Sequence, residues 1–187
     1  MGRPKQLLQA GGATLVGRIV DEAMKSELDE VILVLGRKYE EIREELGKLL
    51  KRPHLKVIKN ENYKKGISSS IITGLSEVEK DHDHVMLLLA DMPYIDATLI
   101  DLLLRKYMDS RLPLGAIKLK ERRTHPVIFS HELYHELRNL KGDVGARNLF
   151  KKYADRVCLV KPEGPYADTD IDTPEDYAEY TETLERK

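Results

Sequence analysis

Apolar positions along the chain alternate between two spacings. Leu15, Ile19, Ala23 and Met24 recur at helical intervals within residues 14–26, which stacks them on one face of a helix. Val31 to Leu35 is then a continuous apolar run closed by Gly36, the pattern of a strand buried on both faces. Ile42, Leu46, Leu49 and Leu50 predict a charged amphipathic helix stopped by Pro53, and residues 55–58 a second strand. Ile71, Ile72, Leu75 and Val78 mark a helix opening at Ser68-Ser69-Ser70. The most hydrophobic run covers residues 85–90 and ends at Asp91, and a helical stripe follows over residues 95–107.

Helix and strand thus alternate through about residue 108, the signature of an open parallel sheet with crossover helices. Past Pro113 the style changes. Residues 114–119 and 127–129 predict a strand pair around the charged turn 120–123. Helices near 131–140 and 145–153 and a strand over 157–160 follow. Thr173-Pro174 opens the last helix as N-cap and first-turn proline. No linker or repeat interrupts the pattern, so the expectation is a single domain over residues 1–187.

Composition narrows the function classes. Lys and Arg total 31 against 32 Asp and Glu, a net charge of −1 that argues against a broad basic face for nucleic acid or an anionic membrane. One Cys cannot form an internal disulfide, which points to a reducing, cytoplasmic setting. No apolar run approaches the roughly 18 residues of a spanning helix, and no secretory pattern opens the chain.

Ligands of open α/β sheets sit beyond the carboxyl ends of the strands. Gly36, the segment from Asn60 to Gly66, and Asp91 all fall at such ends. A carboxylate directly after a buried strand suits Mg²⁺, which shares hard oxygen ligands with substrate phosphates; a turn or helix-capping role is the competing reading. Asp168, Asp170 and Asp172 offer a second acidic group, or an acidic turn that caps the last helix. Gly66 with Ser68, Ser69 and Ser70 opens a helix whose amides suit an anion, or is a plain serine cap. Lys5 alone reads as a surface lysine. His125 before Pro126 fits a buried turn histidine as well as a ligand. His131 and His135 have a zinc-compatible spacing but no third ligand nearby, so an exposed helix face is favoured. Cys158 reads as core. The segment from Gly142 to Arg147 is a turn and helix start, or an anion clamp through Arg147.

In order, these segments carry a stronger message. Met1-Gly-Arg-Pro-Lys5-Gln-Leu-Leu, Asn60-x5-Gly66-Ile-Ser-Ser-Ser70, Leu-Leu-Ala-Asp91-Met-Pro, His125-Pro-Val-Ile-Phe, Gly142-Asp-Val-Gly-Ala-Arg147 and Asp170-Ile-Asp-Thr-Pro-Glu-Asp176 together resemble the MobA-like NTP transferases. The nearest branch is the molybdenum cofactor cytidylyltransferases. The resemblance implies a three-layer α/β/α fold of the nucleotide-diphospho-sugar transferase type, a mostly parallel Rossmann-like sheet with an antiparallel strand pair. It implies transfer of CMP from CTP, or less well GMP from GTP, to the phosphate of molybdopterin, with release of pyrophosphate. Lys5 matches the triphosphate-binding lysine and Asp91 the Mg²⁺-binding aspartate. Asp172, with Asp170 as fallback, matches the second metal carboxylate. Gly36, Asn60, Gly66 and Ser68 to Ser70 fall where the nucleotide pocket is lined, and His125 and Arg147 where the acceptor lies. Arg3-Pro4 and Gly66-Ile-Ser-Ser-Ser stand where the guanylyl branch has other glycine patterns, which favours CTP. A sugar or polyol phosphate is the alternative acceptor. The implied partners are small molecules, without nucleic acid or membrane; a cofactor-delivery or molybdoenzyme partner and a homodimer also fit.

One departure stands out. The family opens with a strand and a Leu-Ala-Ala-Gly-x-Gly-x-Arg loop, and this sequence begins after both. The expectation is a start assigned at an internal Met, a gap beside the Val31 and Val85 strands, and impaired catalysis in the chain as given. A degenerate nucleotide-binding or cofactor-handling protein is the non-enzymatic alternative.

Overall fold

The computed structural model describes residues 4–164 and 166–185; Met1-Gly2-Arg3 of the opening motif lies outside them. The chain opens with a 3₁₀ turn, Lys5–Leu7. A hairpin of β1 (Gln9–Ala10) and β2 (Ala13–Thr14) follows, too short to leave a period in the sequence. Gly11 and Gly12 close it with φ of 58° and 81°, a region open to glycine. Thr14 caps α1 (Leu15–Lys25), its hydroxyl accepting the Gly17 N–H at 3.1 Å. β3 (Val31–Leu35) leads to α2 (Tyr39–Leu46). The sequence pattern carries that helix to Leu50, but Gly47, at φ 46°, turns the rest into a 3₁₀ segment.

β4 (Leu55–Lys59) pairs with β3 in parallel, Val31 opposite Leu55. α3 (Ile67–Val78) and β5 (His84–Leu87) come next. The run expected to be strand through Ala90 stops at Leu87. Leu87 faces Val127, so the next pair brings Leu88 against Pro126, which has no N–H to extend the ladder. α4 (Ala97–Ser110) is capped by Asp96, whose carboxylate accepts the Leu99 N–H at 2.8 Å. β6 (Leu114–Leu119) and β7 (Arg122–Ser130) form the expected antiparallel pair, with β7 longer than its apolar part. α5 (Tyr134–Arg138), α6 (Arg147–Lys152), β8 (Val157–Val160) and α7 (Pro174–Glu185) complete the order.

Besides the β1–β2 hairpin, the hydrogen-bonded sheets among the described residues are β3–β4 and β5–β7–β6–β8. β5 and β6 both run antiparallel to β7, and β8 runs parallel to β6. Within the larger sheet β5, β6 and β8 share one direction and β7 alone opposes it. One face is covered by α1 and α4, where Ile19, Ala23, Leu99, Ile100 and Leu103 pack on Ile117 and Ile128. The other face is covered by α3, α5 and α6, where Leu75, Leu137 and Phe150 pack on Leu114, Val127 and Phe129. Alternation along β7 explains this: Ile128 points one way, Val127 and Phe129 the other. The result is a three-layer α/β/α fold of the nucleotide-diphospho-sugar transferase type.

β3 and β5 do not pair with each other. Between them runs a cleft of about 1650 Å³, lined by the length of β3, by Val85 to Ala90, and by α1 and α3 on either side. The two sheet pieces are held in one body by those helices. Val16 and Val20 of α1 pack on Leu35 while Ile19 and Ala23 of the same helix pack on the larger sheet. Val31 N–H donates to His54 and Leu35 accepts from the Asn60 N–H, so the odd positions of β3 face β4. By alternation, Ile32 and Val34 turn their backbone groups to the cleft.

Candidate active site

Lys5 is placed by its neighbour. Leu7 is buried among Val16, Val20, Leu35, Ile42 and Leu46, and pins the 3₁₀ turn against α1 and α2. Asp91 follows the unpaired residues 88–90, and buried Met92 and Ile95 anchor the turn behind it. Because Asp96 caps α4, the Asp91 carboxylate is left for the site rather than for a helix end. The Asp91 carbonyl accepts the Ile171 N–H at 3.0 Å, and Ile171 is buried beside Ala10, Leu15 and Tyr180. That bond sets Asp170 and Asp172 beside Asp91.

The last acidic group divides its labour. Asp176 accepts the Asp172 and Thr173 N–H groups at 3.1 and 2.8 Å, and the Thr173 hydroxyl accepts the Asp176 N–H. This reciprocal cap holds the Asp176 carboxyl below the usual carboxylate range, through the Thr173 hydroxyl and the backbone amides. Asp172 is thereby free to face Lys5. Asp168 instead pairs with Arg122 at 2.7 Å.

The Lys5 ammonium donates to Asp91 at 2.6 Å and to Asp172 at 2.8 Å. Burial opposes its charge, but the bonds to Asp172 and Asp91 outweigh it and raise its pKa. Asp170 is not bonded to Lys5. Its carboxyl is pushed up by burial, then by the charges of Asp91 and Asp172. Among the described residues no group of three or more His, Cys, Asp or Glu could hold an ion alone. Two converging carboxylates with open space beyond them fit a hard divalent cation shared with phosphate oxygens, not an all-protein cage.

The residues expected around the nucleotide take different parts. Gly36 lies on the cleft, and a Cβ there would overlap Tyr63, so packing alone demands glycine. Asn60 is buried; its amide donates to Ser69 at 2.8 Å and Ser70 at 3.0 Å and accepts the Asn62 N–H. It buckles β4 to α3, with both amide N–H groups used and one acceptor position on Oδ1 remaining. Gly66, at φ 95°, is the residue before α3, so Ser68 to Ser70 lie inside the first turn rather than at the cap. Ser68 is buried with its hydroxyl unpartnered, Ser69 bonds back to the Gly66 carbonyl, and Ser70 reaches the cleft. At the start of α3 the Asp143 carboxylate accepts the Ile67 N–H at 3.0 Å, so that one amide is already engaged. A Cβ on Gly66 would meet Asp143 and the Gly142 carbonyl, which fixes glycine at that crossing.

His125 sits in a bulge. Ala116 faces Val127 while the next residue, Ile117, faces Thr124, so His125 and Pro126 stand out of the ladder. The ring nitrogen lies 3.3 Å from the Leu87 carbonyl, and the His125 carbonyl accepts the Tyr166 hydroxyl at 2.9 Å. Burial lowers its pKa against the Leu87 bond and the Asp91 charge. Arg147 is exposed on the cleft wall. Arg123 joins it there, its guanidinium 4.6 Å from the Phe150 ring centroid. Sequence reading places Arg123 in a turn; its distance of two residues from His125 is the only signal that singles it out. Cys158, expected in the core, is half-buried near the Lys106 carbonyl. His131 packs on Tyr134, and His135 turns to the Glu132 carbonyl.

A lysine and carboxylates from separate loops, gathered at the carboxyl edge of such a sheet, define the class of α/β nucleotidyltransferases. The family model described as the MobA-like NTP transferase domain matches residues 1–157, and the chain belongs to that family. It is 30% identical over 190 residues to the purine catabolism protein PucB of Bacillus subtilis (strain 168), covering 95% of this chain and 87% of PucB. The crystal structure of Rv0371c from Mycobacterium tuberculosis H37Rv superposes with a TM-score of 0.84 at 25% identity, covering 97% of this chain and 90% of that one. A structure of Rv0371c in complex with manganese superposes at 0.79 with 24% identity, covering 97% and 93%. Among the described residues no helix is long and apolar enough to cross a membrane.

Proposed function

We propose that residues 1–187 act as one nucleotidyltransferase domain that moves CMP from CTP to the terminal phosphate of molybdopterin. The observation that carries this reading is the convergence of Lys5, Asp91 and Asp172 from separate loops. An oxygen of the acceptor phosphate attacks the α-phosphorus of the nucleotide in line. The bond from that phosphorus to the α,β-bridging oxygen breaks, and pyrophosphate leaves. Such chemistry asks for positioning and charge neutralisation rather than covalent help. Lys5 offsets charge on the leaving phosphates. Asp91 and Asp172 would hold Mg²⁺, which supplies further neutralisation at the phosphate oxygens. The manganese complex of Rv0371c supports a divalent ion here. Arg147 and Arg123 face the acceptor side, and His125 closes the wall between acceptor and Asp91. The glycine pattern around Pro4 and Gly66 supports CTP over GTP.

A thermal-shift series of nucleotides with and without Mg²⁺ tests the reading. At a hundredfold excess over Kd, CTP with Mg²⁺ should stabilise the fold by about 2.7 kcal/mol, with a smaller response to GTP. Pyrophosphate release on adding molybdopterin then separates this acceptor from a sugar or polyol phosphate. Absence of any nucleotide response would overturn the proposal. The open cleft between β3 and β5 favours a second reading: nucleotide binding with impaired turnover. A full thermal response without pyrophosphate release would select it.

A further inference from the structure

The Lys5 ammonium stands where a metal ion would stand. It contacts one oxygen each of Asp91 and Asp172, at 2.6 and 2.8 Å, and draws together carboxylates from two loops. A divalent cation bound to the same oxygens, at about 2.0–2.1 Å for Mg²⁺, would fall within contact distance of that ammonium. Two cations cannot share this space. We propose that Lys5 and the divalent ion are alternative occupants of one carboxylate pair, and that nucleotide phosphates draw Lys5 away as the metal enters.

The inference rests on the nucleotidyltransferase reading above and adds an order to it. With no nucleotide, Lys5 satisfies the carboxylates and holds the two loops together, so metal alone must break both ion pairs with nothing offered in return. With nucleotide present, the triphosphate offers the ammonium a new anion and offers the metal further oxygens. Metal and nucleotide then favour each other through one side chain, a coupling that is reciprocal by linkage. Asp170 has no cation bonded to it and feels the charges of Asp91 and Asp172, so displacing Lys5 with no replacement leaves that acidic group uncompensated.

The test is Mn²⁺ binding followed by electron paramagnetic resonance, with and without CTP and with no acceptor. Lys5→Met and Lys5→Gln remove the internal cation; Lys5→Arg keeps it. Without CTP, both neutral variants should bind Mn²⁺ on the order of tenfold tighter than the parent, and Lys5→Arg should stay near the parent. Addition of CTP should tighten Mn²⁺ binding strongly in the parent and much less in the neutral variants. Circular dichroism confirms that each variant folds, and either neutral variant suffices. Neutral variants that bind Mn²⁺ alone no tighter than the parent would overturn the exchange. Asp91→Asn separates the two levels. If it binds Mn²⁺ with CTP as well as the parent, the metal lies elsewhere and the site reading itself falls.

Discussion

The edge of the sheet and the layer behind it follow opposite rules. At the edge, Lys5 is met by Asp91 and Asp172, Asp176 by the start of α7, and Asp143 by the start of α3. Behind it, β3 and β5 face each other across a cleft, and among the described residues the backbone groups that Ile32 and Val34 turn to it have no partner. Unpaired donors and acceptors beside apolar walls are costly, and a run such as Val31 to Leu35 is built to be covered on all sides. The difference teaches that the Lys5 cluster is anchored by packing outside the break between β3 and β5. Its loops are set by their own anchors, Leu7, Met92 and Ile171, each buried in a separate cluster. Loss of order in the cleft and loss of the site are therefore separable failures.

The largest effect that can break this contrast is in packing. Phe129 lies on a paired strand, fully buried against Phe150. Phe129→Ala should cost about 3–5 kcal/mol in urea unfolding. Val34 sits on β3 against Gly74 of α3 but is only half-buried and borders the cleft. Val34→Ala should cost roughly 1 kcal/mol, since its methyls already touch open space on one side. Comparable losses would mean that the cleft wall is as tightly covered as the core.

Backbone exchange sharpens the same contrast at single residues. Ile32 and Val34 point their N–H groups to the cleft, whereas Leu33 and Leu35 point theirs to β4. Amide exchange followed by NMR should be about a hundredfold faster at the first two than at the second two. Equal protection at all four would show that something pairs with the open edge of β3 in solution.

The sequence made one of these regions far easier to read than the other. Strand order and helix stripes follow from local periods, and the edge loops follow from what comes directly after each strand. Asp91 stood out because a carboxylate ended an apolar run. Asp172 needed the family resemblance, since its neighbours Asp168, Asp170 and Asp176 are chemically alike; the structure pairs Asp168 with Arg122, leaves Asp170 beside Asp91 and Asp172 with no cation bonded to it, and makes Asp176 a cap. Asn60 reads as a candidate ligand by position, yet its amide serves as a buckle, because hydrogen bonds across nine and ten residues leave no sequence signal. The two-residue bulge that pushes out His125 leaves none either, since it exists only in register with β6.

The smallest effect probes the boundary between the two regions. His125 lines the cleft yet feels the charge of Asp91 at the edge. Burial holds its folded pKa below the ordinary value of about 6.5. The unfolded chain therefore binds more protons than the folded one between the two values, and stability must rise with pH through that window. Above the unfolded pKa the contribution of His125 is constant. As pH falls below it, stability is lost at up to about 1.4 kcal/mol per pH unit, until the folded pKa is reached. Urea unfolding of the parent and of His125→Gln at pH 8, 6 and 5 isolates this term. The parent should lose ground to the variant as pH falls, while the gap between them stays flat above pH 7. A gap that is flat throughout would mean that water in the cleft solvates the imidazolium, so that the wall at His125 belongs to the wet edge rather than to the dry layer. Asp91→Asn should carry the loss on to lower pH, because it removes a charge that favours protonation of the ring and so lowers the folded pKa further.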